Sequence, residues 1–331
     1  MNYENSLKIL EEIKKAKKIL INCHYKPDAD GIGSALAIYL ALKKLGDFEI
    51  QLICPSKIPE SYNYLPCFEK IRKVNYSEFD FSKYDLWIIP DAANWWQISG
   101  ALDFKPPKLE VINFDHHETN EVGFKNSIVS KGLSSTTELL YEVFDDWGIK
   151  LDKDIATSLL SGIIGDTGVF RYTNVTSRTL EISKKLMDLG ADKDKIVVKT
   201  YGSIPFNEMK FWGRILDLMQ LEKDYNFVWV AIPLNEYEKY GRPVEAKSAS
   251  ASNFASIVDG TDFGIVIVEE RKDFVTCSFR SRGDFDISEI ATELGGGGHK
   301  EAAGARIIGL NFDEAVKKVL DVARKYAKKN N

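Results

Sequence analysis

The 331-residue sequence has few cysteines and few histidines, four of each, and no apolar run long enough to cross a membrane. The cysteines form no CxxC pair, which argues against a thiolate metal site or a disulfide framework and predicts reduced thiols in a cytoplasmic protein. The net charge of −5 also argues against a bulk electrostatic grip on long nucleic acid. Small anionic substrates remain open, because a local metal or arginine can reverse the charge within a cleft.

The pattern of apolar segments predicts two α/β domains, which the length also favours. In the first half, short and nearly continuous apolar strands alternate with helices, as expected for a parallel sheet with helices on both faces. We place this domain at residues 1–185 and a helical connector at 186–212. A smaller, strand-rich α/β domain should occupy residues 213–331.

Acidic residues and histidines collect where the predicted strands of the first domain end. The set comprises His24, Asp28 and Asp30 after one strand, Asp91 after another, Asp115, His116 and His117 after a third, and Asp166 at the end of an apolar helix. Ligands of open parallel sheets bind beyond the carboxyl ends of the strands, so these side chains should share one edge. An acid at a helix C-terminus opposes the helix dipole and favours a neighbouring cation.

The ligand types predict a metal site for hard divalent ions. Carboxylates with a few imidazoles suit Mn²⁺ best, with Mg²⁺ or Co²⁺ as alternatives, and suit thiolate-bound zinc poorly. Six ligands from four segments are too many for one ion and enough for two ions that share a carboxylate. Two such ions can activate water and stabilise an in-line phosphoryl displacement, which is the chemistry of phosphoester hydrolysis.

Two other interpretations compete with the metal site. A single Asp at a strand end is usually a turn or cap residue, but this explanation weakens when all the acids gather at one edge. The segment "GIGSAL" resembles the start of a dinucleotide-binding fingerprint, with Gly31 and Gly33 in place. Leu36 stands where the third small residue belongs, and no acid closes the second strand, so we disfavour a nicotinamide-dependent oxidoreductase.

Several segments carry a family resemblance. "HYKPDADGIGS", "PDAAN", "DHHETN" and "GIIGDTGVFRYTN" resemble the four successive motifs of the DHH phosphoesterase superfamily. "SFRSRGDFDISEIATELGGGGHKEAAGA" resembles the signature of its DHHA1 C-terminal domain. The resemblance runs from about residue 15 to about residue 310. It is greatest to the compact branch that contains bacterial oligoribonucleases (nanoRNases), pAp phosphatases and linear-dinucleotide phosphodiesterases.

The resemblance implies a role for each residue of the first domain. One ion would be held by His24 and Asp28, the other by Asp30, His116 and Asp166, with Asp91 shared between them. Asp91, Asp115 and His117 would form the catalytic group. Asp115 would orient the neighbouring His116, and His117 would face the substrate phosphate, stabilising charge or protonating the leaving oxygen.

In the second domain, strand alternation places Cys277 and Phe279 on one face and Arg280 on the other, where its guanidinium could bind a phosphate. The "GGGGH" segment that follows could form a nest of bare backbone amides for an anion, or a flexible hinge. The resemblance favours substrate binding by Arg280, Gly296, Gly297, Gly298 and His299. Trp95 and Trp96 could offer a stacking platform for a base, although packing is the more common fate of tryptophan.

The expected function is two-metal hydrolysis of short oligoribonucleotides or linear dinucleotides to mononucleotides, with dephosphorylation of pAp as a further activity. Partners would be these short nucleotides, with no membrane and no long nucleic acid, and a homodimer is left open. The alternatives are a cyclic di-AMP phosphodiesterase and a pyrophosphatase- or polyphosphatase-type hydrolase. A binding module with an inactive site is disfavoured, because every expected ligand position holds a suitable residue.

Overall fold

The computed structural model describes residues 3, 5–117, 120, 124, 126–202 and 204–327. The chain divides into two compact units, Met1–Ser203 and Ile204–Asn331. This division falls inside the connector expected at 186–212, and the domain boundaries at 185 and 212 themselves stay predictions.

The first unit is built on a six-stranded parallel sheet. Its strands are β1 (Lys18–Asn22), β2 (Glu49–Cys54), β3 (Ile71–Lys73), β4 (Leu86–Pro90), β5 (Glu110–Asp115) and β6 (Asn126–Val129). Their order in the sheet is β3-β2-β1-β4-β5-β6, and every neighbouring pair is parallel. The order therefore reverses between β1 and β4. In open parallel sheets such a reversal opens a crevice beyond the carboxyl ends of the two strands, which is the usual ligand site.

Both faces of this sheet are buried. Its helices are α1 (Ser6–Lys15), α2 (Ala29–Leu45), α3 (Trp95–Ser99), α4 (Thr136–Asp146), α5 (Lys153–Asp166), α6 (Ser177–Asp188) and α7 (Lys193–Tyr201). Ile21 and its register partner Ile88 belong to the core formed with α1, α2, α4 and α5. Leu20 and its partner Trp87 lie in a second core on the other face, which α3 and aromatic side chains of the connecting segments cover. Burial on both faces explains why the strands read as continuous apolar runs.

The second unit is a smaller α/β structure with a mixed sheet. Its helices are α8 (Phe206–Leu218), α9 (Leu234–Lys239), α10 (Val244–Asn253), α11 (Ser288–Glu293) and α12 (Phe312–Tyr326). Its strands are β7 (Gln220–Glu222), β8 (Phe227–Ile232), β9 (Phe263–Arg271), β10 (Phe274–Ser281), β11 (Gly297–Gly298) and β12 (Ala302–Ile308). They are ordered β11-β12-β10-β9-β8-β7, with only β8 and β9 parallel in the described part of the sheet.

The fold class expected from the sequence is confirmed. A parallel α/β sheet forms the first unit, and a smaller α/β unit follows it. No helix in the described part of the chain combines the length and the apolar character needed to cross a bilayer.

Candidate metal centre

The predicted acids and histidines gather at one edge of the parallel sheet. They follow β1, β4 and β5, which are adjacent in the sheet, and the end of α5 adds Asp166. Three groups of residues offer potential ligand atoms, and within each group these atoms all lie within 4.8 Å of one another. These are His24 with Asp28 and Asp91; Asp30 with His116 and Asp166; and Asp91 with His116 and His117. The first two groups have the composition expected for the two ions, and Asp91 lies beside both.

Asp91 occupies the centre of the cluster. Its Oδ2 lies 3.5 Å from Nε2 of His24, and its Oδ1 lies 3.8 Å from Nε2 of His116. The residue is almost fully buried, and its φ of +55° is in the left-handed region. That conformation costs an L-residue about 1–2 kcal/mol, and such strain concentrates at functional sites. The chain thus holds this carboxylate between two imidazoles despite a local backbone cost.

Two histidines present the same ring nitrogen to the cluster. Nδ1 of His24 lies 3.1 Å from the carbonyl oxygen of Tyr25, and Nδ1 of His116 lies 3.2 Å from that of Leu133. A carbonyl can only accept a hydrogen bond, so each Nδ1 carries a proton, and in the neutral ring each Nε2 keeps its lone pair. This is the tautomer that a metal ligand needs. Gly31 makes room for the His24 ring, with which a β-carbon at this position would collide.

The electrostatics of the cluster fit a divalent cation. Burial, and then the charges of Asp91 and Asp166, raise the pKa of Asp30 well above its ordinary value. Burial also raises the pKa of Asp166, to about 6, against the hydrogen bond from His116. For His116, burial lowers the pKa, but the hydrogen bond to Asp166 and the charges of Asp30 and Asp91 outweigh it and bring the pKa to about 10. Acids crowded in this way repel one another, and oxygen-rich donors with imidazoles suit hard divalent ions.

His117 and Asp115 form a hydrogen-bonded pair beside the cluster. Nδ1 of His117 donates to Oδ1 of Asp115 over 2.6 Å. Nε2 of His117 is therefore unprotonated in the neutral ring and carries the second proton in the imidazolium form. Asn120 holds the other carboxylate oxygen of Asp115 at 2.7 Å. The hydrogen bond to Asp115 is the main cause of the raised pKa of His117. A partly exposed imidazole with a raised pKa and a carboxylate behind it can deliver a proton.

The expected partner of Asp115 was therefore wrong. The resemblance implied His116, whereas the structure pairs Asp115 with His117 and gives His116 a backbone carbonyl instead. Two adjacent histidines look alike in sequence, and only the path of the chain after β5 decides which ring reaches the buried carboxylate. Residues 118 and 119 of the "DHHETN" segment lie outside the described residues.

The N-terminus of α4 supports two of the acids, and the sequence did not single it out. Asp30 accepts hydrogen bonds from the amides of Thr136, at 2.6 Å, and Thr137, at 3.0 Å, and from the Thr137 hydroxyl at 2.7 Å. The Thr136 hydroxyl donates to Oδ1 of Asp91 over 3.1 Å. A helix N-terminus favours anions, so α4 fixes both carboxylates. The spacing of Ser135 and Glu138 is that of a capping box and could have revealed this N-terminus.

Removing the Thr136 hydroxyl should weaken metal binding without unfolding the protein. In Thr136→Val the amide still donates to Asp30, but the hydrogen bond to Asp91 is lost. Loss of a supporting contact of this kind typically lowers metal affinity about 10–100-fold. Calorimetric titration with Mn²⁺ would measure it. Thr136→Ser should recover most of the affinity. As a control, Thr157→Val removes a hydroxyl that donates to the Lys153 carbonyl, and this variant should match the wild type. Unchanged affinity in Thr136→Val would contradict the role.

In the second unit, Arg280 lies on the predicted face of β10. Cys277 and Phe279 are buried, while Arg280 is half-buried. Its Nε donates to Oγ of Ser252 at 2.8 Å and its Nη1 to the carbonyl of Phe279 at 2.9 Å. Burial lowers the pKa of Arg280, and no carboxylate of the described residues lies within ion-pair distance of it. A half-buried guanidinium without an acid partner favours an anionic ligand.

The glycine segment after α11 is a hairpin strand and not an open amide nest. Gly297 and Gly298 form β11, which pairs antiparallel with β12. The amides of Gly295, Gly296 and His299 donate to the carbonyls of Thr292, Ala291 and Ala302. At Gly296 and Gly298 a β-carbon would collide with the backbone of β12. The nest expected from the sequence is therefore wrong for these three amides, because the end of α11 uses the first two and the hairpin uses the third. The His299 side chain is exposed at the end of the hairpin.

The two tryptophans after Asp91 have different surroundings. Trp95 packs against Trp87, Phe104 and Phe124, with ring centroids 5.2–6.1 Å apart. Trp96 is 48% exposed and meets Tyr25 edge to face, with centroids 5.6 Å apart. Of the two, only Trp96 is exposed enough to stack on a base.

The fold and the cluster define a phosphoesterase of the DHH class, and comparison with known families agrees. Residues 18–163 match the model of the DHH family, N-terminal domain, and residues 243–329 match the DHHA1 domain. Together the two models cover more than half of the chain. The chain therefore belongs to the DHH family, in the branch that carries a DHHA1 domain, as the sequence motifs predicted.

Two curated relatives match over nearly the whole chain. The bifunctional oligoribonuclease and PAP phosphatase NrnA of Thermus thermophilus is 29% identical over 97% of this chain and 94% of its own. The protein of the same name from Bacillus subtilis is 26% identical over 95% of this chain and 96% of its own. Among solved structures, an exopolyphosphatase-related protein from Bacteroides fragilis is 26% identical, with a TM-score of 0.86 over 97% of this chain and 96% of that one.

Proposed function

We propose that this protein is a two-metal phosphoesterase that hydrolyses short oligoribonucleotides and linear dinucleotides to mononucleotides and also dephosphorylates pAp. The observation that carries the proposal is the position of Asp91, which belongs to the group with His24 and Asp28 and whose Oδ1 lies 3.8 Å from Nε2 of His116 in the other group. A carboxylate shared in this way would hold two ions close together, as two-metal phosphoryl transfer needs. The names of the NrnA relatives support the choice of substrate.

In this proposal one ion would be held by His24, Asp28 and Asp91, and the other by Asp30, His116, Asp166 and Asp91. Mn²⁺ suits the donors best, with Mg²⁺ or Co²⁺ as alternatives. Such a pair of ions supplies charge neutralisation and an activated water at phosphorus. The chain's own contribution begins with the α4 N-terminus, which fixes the carboxylates of Asp30 and Asp91.

The remaining chemistry belongs to side chains that are not metal ligands. His117, oriented by Asp115, would stabilise charge on the phosphate and protonate the leaving oxygen. In the second unit, Arg280 would bind a substrate phosphate through the Nη atoms that its contacts with Ser252 and Phe279 leave available. We assign Gly296, Gly297, Gly298 and His299 to the same substrate-binding surface, with the exposed His299 side chain and the hairpin as its elements.

A substrate panel tests the proposal. Product release would be followed with Mn²⁺ from pApA, short 5′-labelled RNA, pAp, cyclic di-AMP and inorganic pyrophosphate. We expect the linear dinucleotide and short RNA to be cleaved to mononucleotides, pAp to lose a phosphate, and Asp91→Asn to be silent with all of them.

Each other outcome selects a different function. Cleavage of cyclic di-AMP in preference to pApA would make the protein a cyclic-dinucleotide phosphodiesterase. Turnover of pyrophosphate alone would make it a pyrophosphatase-type hydrolase. Processive degradation of long RNA would refute the restriction to short substrates.

A further inference from the structure

A cavity of about 390 Å³ opens beside the acid cluster, and one aromatic side chain lines it. Its wall includes Asp91, His116 and His117 from the cluster, and Tyr172 from the segment after Asp166. The volume lies within the range of small-molecule sites, roughly 300–1,000 Å³. Tyr172 is 55% exposed. The metal chemistry does not require this ring.

The ring of Tyr172 is supported on one side by backbone. A β-carbon on Gly168 would lie 2.5 Å from Cζ of Tyr172 and 2.7 Å from its Cε1, so the ring lies directly over this glycine. Any other residue at 168 would displace the ring. A flat ring that rests on backbone and remains more than half exposed can accept a second flat group on its free surface.

The turn that brings Tyr172 back toward the cluster is strained. Gly168, Val169 and Phe170 have successive φ values of +54°, +61° and +62°. Positive φ is rare for non-glycine residues, and for a β-branched residue such as Val169 it is a true outlier. Strain of this kind persists only where the surroundings over-determine it.

Hydrogen bonds from the end of α5 hold the strained turn. The amide of Val169 donates to the Ile164 carbonyl at 2.9 Å, and the amide of Phe170 donates to Oγ1 of Thr167 at 3.1 Å. Nε of Arg171 donates to the Gly168 carbonyl at 2.7 Å. The chain therefore maintains an unfavourable backbone conformation in this turn. As a result, Tyr172 lies in the wall of the cavity.

The other candidate aromatic residues fit the cavity less well. Trp95 is occupied by ring packing, and Trp96 meets Tyr25 and does not line the cavity. Tyr172, by contrast, has no ring partner among the described residues.

We propose that Tyr172 is a specificity-determining residue that stacks on the nucleobase of the nucleotide whose phosphate occupies the acid–histidine cluster. The inference rests on the proposed function, since it takes a nucleotide phosphate to be the ligand of the cluster. Base–aromatic stacking is tolerant of sequence, because every base offers a flat face. Tyr172 thus selects nucleotides over base-free phosphate esters without selecting among the four bases.

Binding of a product separates this role from turnover. The Mn²⁺-loaded full-length protein would be titrated calorimetrically with AMP and with ribose 5-phosphate, which differ only in the base. Stacking on one aromatic ring makes the wild type prefer AMP by about 5–150-fold. In Tyr172→Ala and Tyr172→Leu the preference should fall to near unity, while affinity for ribose 5-phosphate should be unchanged. Melting temperatures of both variants would verify that they are folded.

Two matched variants distinguish stacking on the Tyr172 ring from a contribution of its hydroxyl and from stacking on Trp96. Tyr172→Phe keeps the ring and should keep the preference for AMP, and Trp96→Ala should keep it as well. The proposal is overturned if the wild type does not prefer AMP, if Tyr172→Phe loses as much as Tyr172→Ala, or if only Trp96→Ala loses the preference. A preserved preference for AMP in a protein that hydrolyses no nucleotide would defeat the proposed function and leave the stacking role standing.

Discussion

Replacing Asp91 with Asn should lower turnover by about 10³-fold or more and at the same time reduce the pH dependence of the stability of the metal-free protein. The substitution keeps the size of the side chain and removes the charge that lies beside both ligand groups. Loss of one preorganised electrostatic contact at a reacting centre commonly costs about 10²–10³-fold, and a shared ligand should cost at least as much. Turnover of pApA and the Mn²⁺ stoichiometry from calorimetry would measure the first effect.

The pH dependence arises from the crowding of buried acids and imidazoles around Asp91. Burial and the charges of Asp91 and Asp166 raise the pKa of Asp30, so its ionised form destabilises the metal-free fold as the pH rises. The raised pKa of His116 acts in the same direction, because the stability that its protonated form contributes is lost as the pH approaches about 10. Metal-free wild type should therefore lose stability between about pH 6.5 and pH 10. Asp91→Asn should flatten this slope, because it removes a charge that raises the pKa of both Asp30 and His116, and melting temperatures across this range would measure it.

A matched acid at the opposite end of the same strand serves as the control. Asp85 directly precedes β4 and accepts the amides of Lys17 and Lys18, remote from the ligand groups. Asp85→Asn should retain activity and Mn²⁺ stoichiometry. If Asp91→Asn kept activity within tenfold of the wild type and still bound the full complement of metal, Asp91 would not be the shared ligand.

The positions of the acids were predictable because the parallel sheet imposes a simple rule. Apolar runs reveal β1, β4 and β5, and the side chains directly after such strands must meet at one edge. The order β3-β2-β1-β4-β5-β6 was not predictable from these runs, yet it is this order that places the loop of Asp28 beside that of Asp91. It is also the order of dinucleotide-binding folds, although the ligand chemistry here is that of a metal centre.

The supporting contacts were harder to predict, because they pass through the backbone or depend on one turn. Thr136 contacts Asp30 through an amide, a group that every residue except proline carries. The pairing of Asp115 with His117 depends on a bend immediately after β5. The glycine run is compatible with both a nest and a hairpin, and β12, its partner strand, was not recognised in the sequence. Tyr172 reaches the cavity only through a left-handed turn that its sequence does not reveal.

Replacing His117 with Gln should lower kcat by about 10²–10⁴-fold while both metal sites remain loaded. The imidazole is held by Asp115, and its pKa is raised by that hydrogen bond, so it can keep a proton for the leaving oxygen at neutral pH. General acid catalysis contributes about 10²–10⁴-fold to such reactions. The loss should be large for pApA, whose ribose alkoxide is a poor leaving group, and much smaller for a nucleotide p-nitrophenyl ester, which leaves without protonation.

This dependence on the leaving group separates three roles for His117. A group that only stabilises charge on the phosphate would lower both rates equally. Nδ1 of His117 lies 3.8 Å from Oδ1 of Asp91, and if His117 were a metal ligand, His117→Gln would reduce the Mn²⁺ stoichiometry. Asp115→Asn supplies the intermediate case, since the ring remains but its orientation and its pKa change, and a loss of about 10–100-fold is expected. A larger loss in Asp115→Asn than in His117→Gln would show that the buried carboxylate, and not the imidazole, carries the function of the pair.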